Sequence, residues 1–116
     1  MDIYSSVIDN KNKLEADFLD CSDFLLRECK VNGTDCIVCV LDGMVDSLQL
    51  SHMIMNPILN YSGDEKTNAE LFETLKLSVV NSLELSEVTT FEDVHFFLSS
   101  GFAIVFIDGV SKCLSL

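Results

Sequence analysis

Two uninterrupted apolar runs, each followed by Asp-Gly, constrain the fold of this chain more than any other feature. The first run covers residues 36–41 and ends at Asp42-Gly43, and the second covers residues 102–107 and ends at Asp108-Gly109. Alternate side chains of a strand point to opposite faces of a sheet, so a strand that is apolar at every position must be covered on both faces. We therefore expect both runs to lie in the middle of one sheet with helices packed against it.

A hairpin is predicted before the first run. Residues 24–31 have strand character, and their later half alternates between apolar and charged positions. They are followed by Asn32-Gly33, and both residue types tolerate the positive φ of a type I′ turn. The strand at residues 36–41 should therefore return antiparallel to the strand at residues 24–31.

The remaining elements follow from helical or alternating spacing. Helices are predicted at residues 9–19, 46–59, 70–76 and 91–99. In the first helix, Leu14, Phe18 and either Ile8 or Leu19 should form the buried stripe. Asp46 or Ser47 should cap the second helix, and Thr89 or Thr90 should cap the last one, with Gly101 as its stop.

The remaining segments complete the predicted order. Pro57 should end or kink the second helix near Asn56, because proline lacks the amide that a helix interior requires. Residues 61–68 form a polar loop, which we expect to be the most mobile segment. Residues 83–88 and 111–116 alternate and are predicted to be strands, whereas residues 77–82 are ambiguous. The prediction is an α/β domain, at the border of α+β, with a mixed sheet of about four strands in a three-layer arrangement.

Size and composition indicate one domain over residues 1–116. Hydrophobic residues make up 48% of the chain, which is enough for one core. No apolar stretch reaches the roughly 18 residues needed to cross a bilayer. The first five residues lack the basic and apolar regions of a signal peptide, so we expect a domain that stays on the side of the membrane where it is made.

The charge balance disfavours two classes of partner. The chain has 19 acidic and 7 basic side chains, and its formal net charge is −12. Binding to nucleic acid or to anionic lipid requires Lys and Arg opposite phosphates, and this excess of carboxylates would repel both partners. The excess is explained by solubility, with an acidic docking surface as the alternative.

Five cysteines are present, and we interpret them as reduced thiols used as small apolar residues: Cys21, Cys29, Cys36, Cys39 and Cys113. Cys36 and Cys39 match C-x-x-C, the spacing of redox and zinc sites. In a strand, however, residues three apart point to opposite faces, so these two sulfurs should not share a metal or a disulfide.

The two Asp-Gly strand ends are the best candidates for a binding site, because α/β proteins often place ligand groups at the ends of central strands. The candidate residues are Asp42, Gly43, Asp46, Asp108 and Gly109. The alternative, which we prefer, is that these residues form turns and caps. His52 and His95 fall on different predicted helices outside any metal-binding spacing. The sequence predicts no catalytic residue, no metal site and no cofactor.

The order of several segments resembles a known family. Residues 22–28 (Ser-Asp-Phe-Leu-Leu-Arg-Glu) precede an apolar strand that enters Leu41-Asp42-Gly43-Met44-Val45-Asp46, and a helix then reaches Asn56-Pro57-Ile58-Leu59. Later, a helix and a glycine precede an apolar strand that ends Ile107-Asp108-Gly109. Over roughly residues 10–116 this arrangement resembles the N-terminal domain of the GerA family, the A subunits of bacterial spore germinant receptors.

The resemblance implies a function that is not enzymatic. Members of this family have two soluble α/β subdomains followed by transmembrane helices in the inner spore membrane, and they act with B and C subunits in nutrient-triggered germination. The chain would then be a fragment, the first subdomain, soluble on the cytoplasmic side, and joined to the membrane only through a missing downstream part. Self-association and the nutrient ligand remain open.

Two other functions are alternatives. The chain could be a free-standing module that binds a small ligand or a protein, with a pocket near the Asp-Gly strand ends. A small hydrolase that uses a Cys or an Asp is the third hypothesis, and it requires a thiol or carboxyl group with a perturbed pKa.

Overall fold

The computed structural model describes residues 1–43, 45, 50–80 and 85–116. Five strands form one sheet, in the order β1-β2-β4-β5-β3. Their bounds are Phe24–Val31 for β1, Thr34–Leu41 for β2, Ser86–Val88 for β3, Ile104–Ile107 for β4 and Cys113–Ser115 for β5.

The β1–β2 hairpin is formed as predicted. Asn32 has φ 50° and Gly33 has φ 82°, which are the left-handed conformations that a two-residue hairpin turn requires. Val31 pairs with Thr34 next to the turn, and the register continues without a bulge to Phe24 and Leu41. β2 is therefore flanked by β1 on one side and by β4 on the other, which explains why it is apolar throughout.

Within the described residues, four α-helices pack on this sheet. Their bounds are Val7–Asp17 for α1, Asn56–Asn60 for α2, Asn68–Thr74 for α3 and Phe91–Ser99 for α4. Hydroxyl side chains cap three of them: the side chains of Ser6, Thr67 and Thr90 accept hydrogen bonds from backbone amides in the first turns of α1, α3 and α4. Gly101, at φ 91°, follows α4 and ends it as predicted.

A π-helical turn adjoins α2, and another adjoins α3. Residues Ser51–Met55 form one directly before α2, and residues Leu75–Val79 form another directly after α3. Pro57 lies in the first turn of α2, where its missing amide costs little. The helix does not end before Pro57 but continues to Asn60, and it changes from π-helical to α-helical geometry at Asn56, where an end or a kink was predicted.

The core is divided by the sheet into two apolar clusters. One face packs against α2 and α3, through Ile58, Leu71 and Phe72. The other face packs against α1 and α4, through Leu14, Val94 and Leu98. Helices therefore cover both faces, and the predicted α/β class with three layers is confirmed.

Two details of the predicted sheet differ from the structure. The sheet has five strands rather than about four, and each described strand pair is antiparallel rather than part of a mixed sheet. The direction of β4 has a simple cause. α4 returns the chain to the end of the sheet where β2 finishes, so Ile104 starts β4 opposite Cys39 and the strand runs back along β2.

The buried stripe of α1 also differs from the prediction. Leu14 is buried as expected, but Ile8 is 60% exposed and Leu19 lies beyond the helix and is 81% exposed. The buried positions are Val7, Asn10 and Leu14. The predicted cap residues Asp46 and Ser47 lie outside the described residues, as does the start of the predicted strand at residues 83–88.

Candidate functional site

The two Asp-Gly turns lie at opposite ends of the sheet. β2 and β4 pair antiparallel, with Cys36 opposite Ile107 and Cys39 opposite Ile104. Asp108 therefore lies beside Asp35, at the start of β2, whereas Asp42 follows the end of the same strand. Asp35 and Asp42 are seven residue steps apart along β2, which corresponds to roughly 23 Å. The fold does not bring Asp42 and Asp108 into one site.

The Asp108-Gly109 turn joins three other parts of the fold. The Asp108 carboxylate accepts a hydrogen bond from the backbone amide of Val7 at 3.0 Å. The backbone amide of Asp108 donates to the carbonyl of Asp35. The backbone carbonyl of Asp108 accepts a hydrogen bond from the Asn68 side chain at 2.7 Å. Gly109, at φ 84°, donates its amide to the carbonyl of Ser5. This turn therefore connects the starts of α1, β2 and α3.

The Asp42-Gly43 turn has a smaller set of contacts. The Asp42 amide donates to the carbonyl of Asp23 at 2.7 Å, and Gly43 has φ 85°. The third candidate of this group, Asp46, lies outside the described residues. Turn geometry accounts for the Asp-Gly residues at both ends of the sheet, and a binding role for them stays a prediction.

A groove lies next to the Asp108 end of the sheet, between α1 and the β1–β2 hairpin. Its volume is about 350 Å³. Val7 and Asp35, which line the groove, are the same residues that hydrogen-bond to Asp108. The lining is completed by residues from α1 and from both strands of the hairpin: Ile8, Lys11, Glu28, Cys29, Lys30, Cys36 and Ile37.

The charges around this groove are paired. Lys11 contacts Glu28 at 2.8 Å, and Lys30 contacts Asp35 at 2.7 Å. The hydrogen bonds with these carboxylates raise the pKa of Lys11 and the pKa of Lys30, so both amines are cationic at neutral pH. The groove thus combines apolar walls with two neutralised ion pairs, a surface suited to a small ligand that is itself polar at its edges.

Cys36 and Cys39 lie on opposite faces of the sheet, as the strand geometry predicts. Cys36 belongs to the apolar cluster under α2 and α3, whereas Cys39 belongs to the cluster on the opposite face. The C-x-x-C spacing therefore does not bring these two sulfurs together. Cys36 instead lies directly opposite Cys29 in the β1–β2 register.

The two histidines lie apart. His95 on α4 lies 3.0 Å from the carboxylate of Asp17, at the end of α1. His52 is exposed in the π-helical turn before α2. In the described ranges, no group of three or more His, Cys, Asp or Glu side chains is arranged to hold a metal ion.

Sequence reasoning missed the groove and the Cys29–Cys36 pair. The signal for both is the Asn32-Gly33 turn, because a two-residue turn fixes the register of the strands on either side. Counting outward from the turn places Lys30 opposite Asp35 and Cys29 opposite Cys36. The packing of α1 beside these pairs depends on long-range contacts and has no comparable local signal.

Comparison with known proteins gives a family match and a structural match. Residues 12–116 match the family described as Bacillus/Clostridium GerA spore germination protein. Among solved structures, the N-terminal domain of the A subunit of the Bacillus megaterium spore germinant receptor GerK3 is similar, with a TM-score of 0.71 and 20% sequence identity. The similarity covers 100% of this chain and 47% of that one. No curated protein matches the chain.

The extent of the family match decides the assignment. It begins within α1 and continues through the hairpin, both apolar strands and the end of the chain. Over the ranges that the structure describes, none of the helices is long and apolar enough to cross a membrane. The resemblance inferred from the order of the segments is confirmed, and the chain belongs to the GerA family of spore germination proteins.

Proposed function

We propose that this chain is the first subdomain of the N-terminal domain of a germinant receptor A subunit, and that it is a non-catalytic signalling and assembly module in nutrient-triggered germination. The observation that carries the proposal is the family match over residues 12–116. The chain spans 47% of the GerK3 domain that it resembles. In this proposal the parent protein continues beyond Leu116 into a second subdomain and membrane-spanning helices.

In this proposal the parent protein lies in the inner spore membrane, and the described domain lies on its cytoplasmic side. Its partners are the B and C subunits of the receptor and the remaining part of its own chain. Reading the parent gene beyond codon 116 tests this arrangement. A second α/β segment followed by apolar stretches of about 20 residues supports it, and a stop codon after Leu116 contradicts it.

A partly exposed aromatic patch at the end of α4 is the surface we assign to contact with the downstream part of the chain. The patch consists of Phe96, Phe97 and Phe102. The rings of Phe96 and Phe97 are 5.4 Å apart, and those of Phe97 and Phe102 are 5.2 Å apart. Phe96 is 64% exposed, although burial of a phenylalanine ring removes a large apolar surface from water and is favourable.

The position of the chain end favours this occupant. Leu116 and Ala103 exchange two backbone hydrogen bonds, of 2.9 and 3.0 Å, so the last residue lies beside the residue that follows Phe102. A chain that continues from Leu116 therefore starts next to the aromatic patch. Contact there would bury the Phe96 ring and would couple α4 to whatever follows in the sequence.

Spores that carry the complete parent gene test this surface. Phe96→Asp should slow nutrient-triggered loss of optical density, because a carboxylate cannot be buried in an apolar contact without a partner. Leu77→Asp is the matched control: Leu77 is 75% exposed and follows α3, on the other side of the sheet. Equal germination rates for both variants, with normal protein levels, would contradict the role of the patch.

The groove beside α1 supports a second candidate function, the binding of a small ligand by this domain. Its two ion pairs and apolar walls could hold a polar small molecule. A thermal-shift screen of nutrient molecules against the purified chain tests this function. Ile8→Trp should abolish any stabilisation that arises in the groove, whereas Leu19→Trp, at an exposed position beyond α1, should leave it unchanged.

A further inference from the structure

Cys29 and Cys36 form a cross-strand pair in the β1–β2 hairpin. They occupy directly opposite positions in the antiparallel register, two pairs away from Val31 and Thr34 at the turn. Opposite residues of such a pair have Cα atoms roughly 4.5–5.5 Å apart and side chains on the same face. A disulfide requires a Cα separation of about 4.4–6.8 Å, so the hairpin backbone already holds this pair within bonding geometry.

The two thiols differ in environment. Cys36 is 1% exposed and belongs to the cluster under α2 and α3, whereas Cys29 is partly exposed on the edge strand β1. A hydrogen bond with the Cys36 thiol lowers the pKa of Cys29 to about 7, and the charge of Arg27 acts in the same direction. The same hydrogen bond and burial raise the pKa of Cys36. Cys29 is thus the accessible nucleophile, and Cys36 is a buried thiol beside it.

We infer that Cys29 and Cys36 are a two-cysteine oxidation site that closes a disulfide across the hairpin when the protein meets a low-molecular-weight disulfide. The Cys29 thiolate attacks one sulfur of that disulfide, forms a mixed disulfide and releases the other half as a thiolate. The Cys36 thiol then loses its proton and attacks the Cys29 sulfur, which releases the second half. The protein loses two electrons and two protons, and the small disulfide is reduced to two thiols.

The other cysteines are placed differently. Cys39 and Cys113 are buried in the cluster under α1 and α4, and burial raises the pKa of both thiols. Cys21 lies in the turn before β1, eight residues before Cys29. Oxidation of the folded chain should therefore select the Cys29–Cys36 pair among the ten pairs that five thiols allow.

The experiment exposes the purified folded chain to oxidised glutathione and then analyses it by thiol titration, intact mass and peptide mapping. The expected result is the loss of two of the five thiols and of about 2 Da, with a single disulfide between the peptides that carry Cys29 and Cys36. Cys21→Ser should give the same disulfide. A disulfide that contains Cys21, Cys39 or Cys113 would overturn the inference.

A trapping variant separates the two steps. Cys36→Ala should accumulate the glutathione adduct on Cys29, because the thiol that resolves it is missing, and Cys29→Ser should form neither the adduct nor the disulfide. Circular dichroism of each variant establishes that it is folded before oxidation. A stable glutathione adduct on Cys29 in the unmodified chain, with Cys36 remaining a free thiol, would also overturn the inference.

Discussion

The carboxylate of Asp108 accepts a hydrogen bond from the backbone amide of Val7 at 3.0 Å, across 101 residues of sequence. Val7 is the first residue of α1, where the backbone amides have no partner within the helix and the helix dipole favours a negative charge. The end of β4 therefore holds the start of α1. The same turn also contacts Asp35 and Asn68, so a residue that the sequence predicts to be a turn residue or a binding candidate organises one end of the domain.

Asp108→Ala should lower the free energy of unfolding by about 1–2 kcal/mol, because it removes a charged acceptor from the helix start. Asp108→Asn should cost less, since its amide oxygen can still accept the bond. Asp42→Ala, at the exposed turn on the opposite end of the sheet, should change stability by less than about 0.5 kcal/mol. Urea unfolding followed by circular dichroism measures all three. Equal losses for Asp108→Ala and Asp42→Ala would contradict the role assigned to Asp108.

Gly109→Ala should destabilise the protein more than Gly43→Ala. Both glycines have positive φ, 84° and 85°, so alanine costs about 1 kcal/mol of backbone strain at either position. At Gly109 the added Cβ would lie 2.8 Å from Nδ2 of Asn68, whereas at Gly43 no described atom outside the neighbouring residues lies within 4 Å. The difference between the two variants in urea unfolding should be about 1 kcal/mol or more. Identical effects would mean that Asn68 moves away without cost.

Asn10→Ala should lower the free energy of unfolding by about 2–3 kcal/mol. Asn10 is fully buried, and its side-chain amide both accepts from the amide of Tyr4 and donates to the carbonyl of Tyr4, each at 2.8 Å. The alanine variant would leave both backbone groups without these partners. Asn12→Ala, at an exposed position of the same helix, is the control and should change stability by less than about 0.5 kcal/mol. A loss below that level for Asn10→Ala would show that water replaces both bonds.

Glu87→Gln should remove part of the pH dependence of stability. Hydrogen bonds from Lys112 and then Lys76, at 2.6 and 2.7 Å, lower the pKa of Glu87 below its ordinary value of 4.5. A depressed folded-state pKa stabilises the protein above the unfolded pKa, and this contribution is lost as pH falls through the folded pKa. The stability difference between Glu87→Gln and the unmodified chain should therefore be larger near pH 7 than at about pH 3.

Urea midpoints at the two pH values measure this difference. Asp20→Asn, at an exposed position after α1, is the control for the general effect of removing one negative charge. High salt should reduce the Glu87 effect, because all three side chains are partly exposed and salt screens such pairs. A Glu87→Gln penalty that is unchanged at low pH would contradict this assignment.

Local chemistry was sufficient for much of the fold. The Asn32-Gly33 turn, the apolar runs in β2 and β4 and the Thr90 cap of α4 each depend on neighbouring residues, and the structure places them as predicted. The strand direction of β4 was not predictable in this way, because it depends on where α4 returns the chain. The π-helical turn before Pro57 likewise depends on the packing of α2.

The buried face of α1 shows where a prediction from the spacing of apolar residues fails. The spacing rule selected Ile8 because it is apolar, yet the buried position is taken by Asn10, which binds the Tyr4 backbone. A polar side chain can be buried when backbone groups outside the helix supply its hydrogen-bond partners. The Cys29–Cys36 pair, in contrast, could have been predicted from the hairpin register. Only Cys36 and Cys39 were considered as a pair from the sequence, because their spacing matches C-x-x-C.

Germination of spores from a strain that lacks codons 1–116 in the parent gene tests the central claim most directly. The account predicts that these spores no longer lose optical density with the nutrients that the receptor recognises, that a nutrient-independent trigger still works, and that the intact gene restores the response. Nutrient responses equal to those of the parent strain, under every nutrient that the parent strain recognises, would contradict a role for this domain in germination.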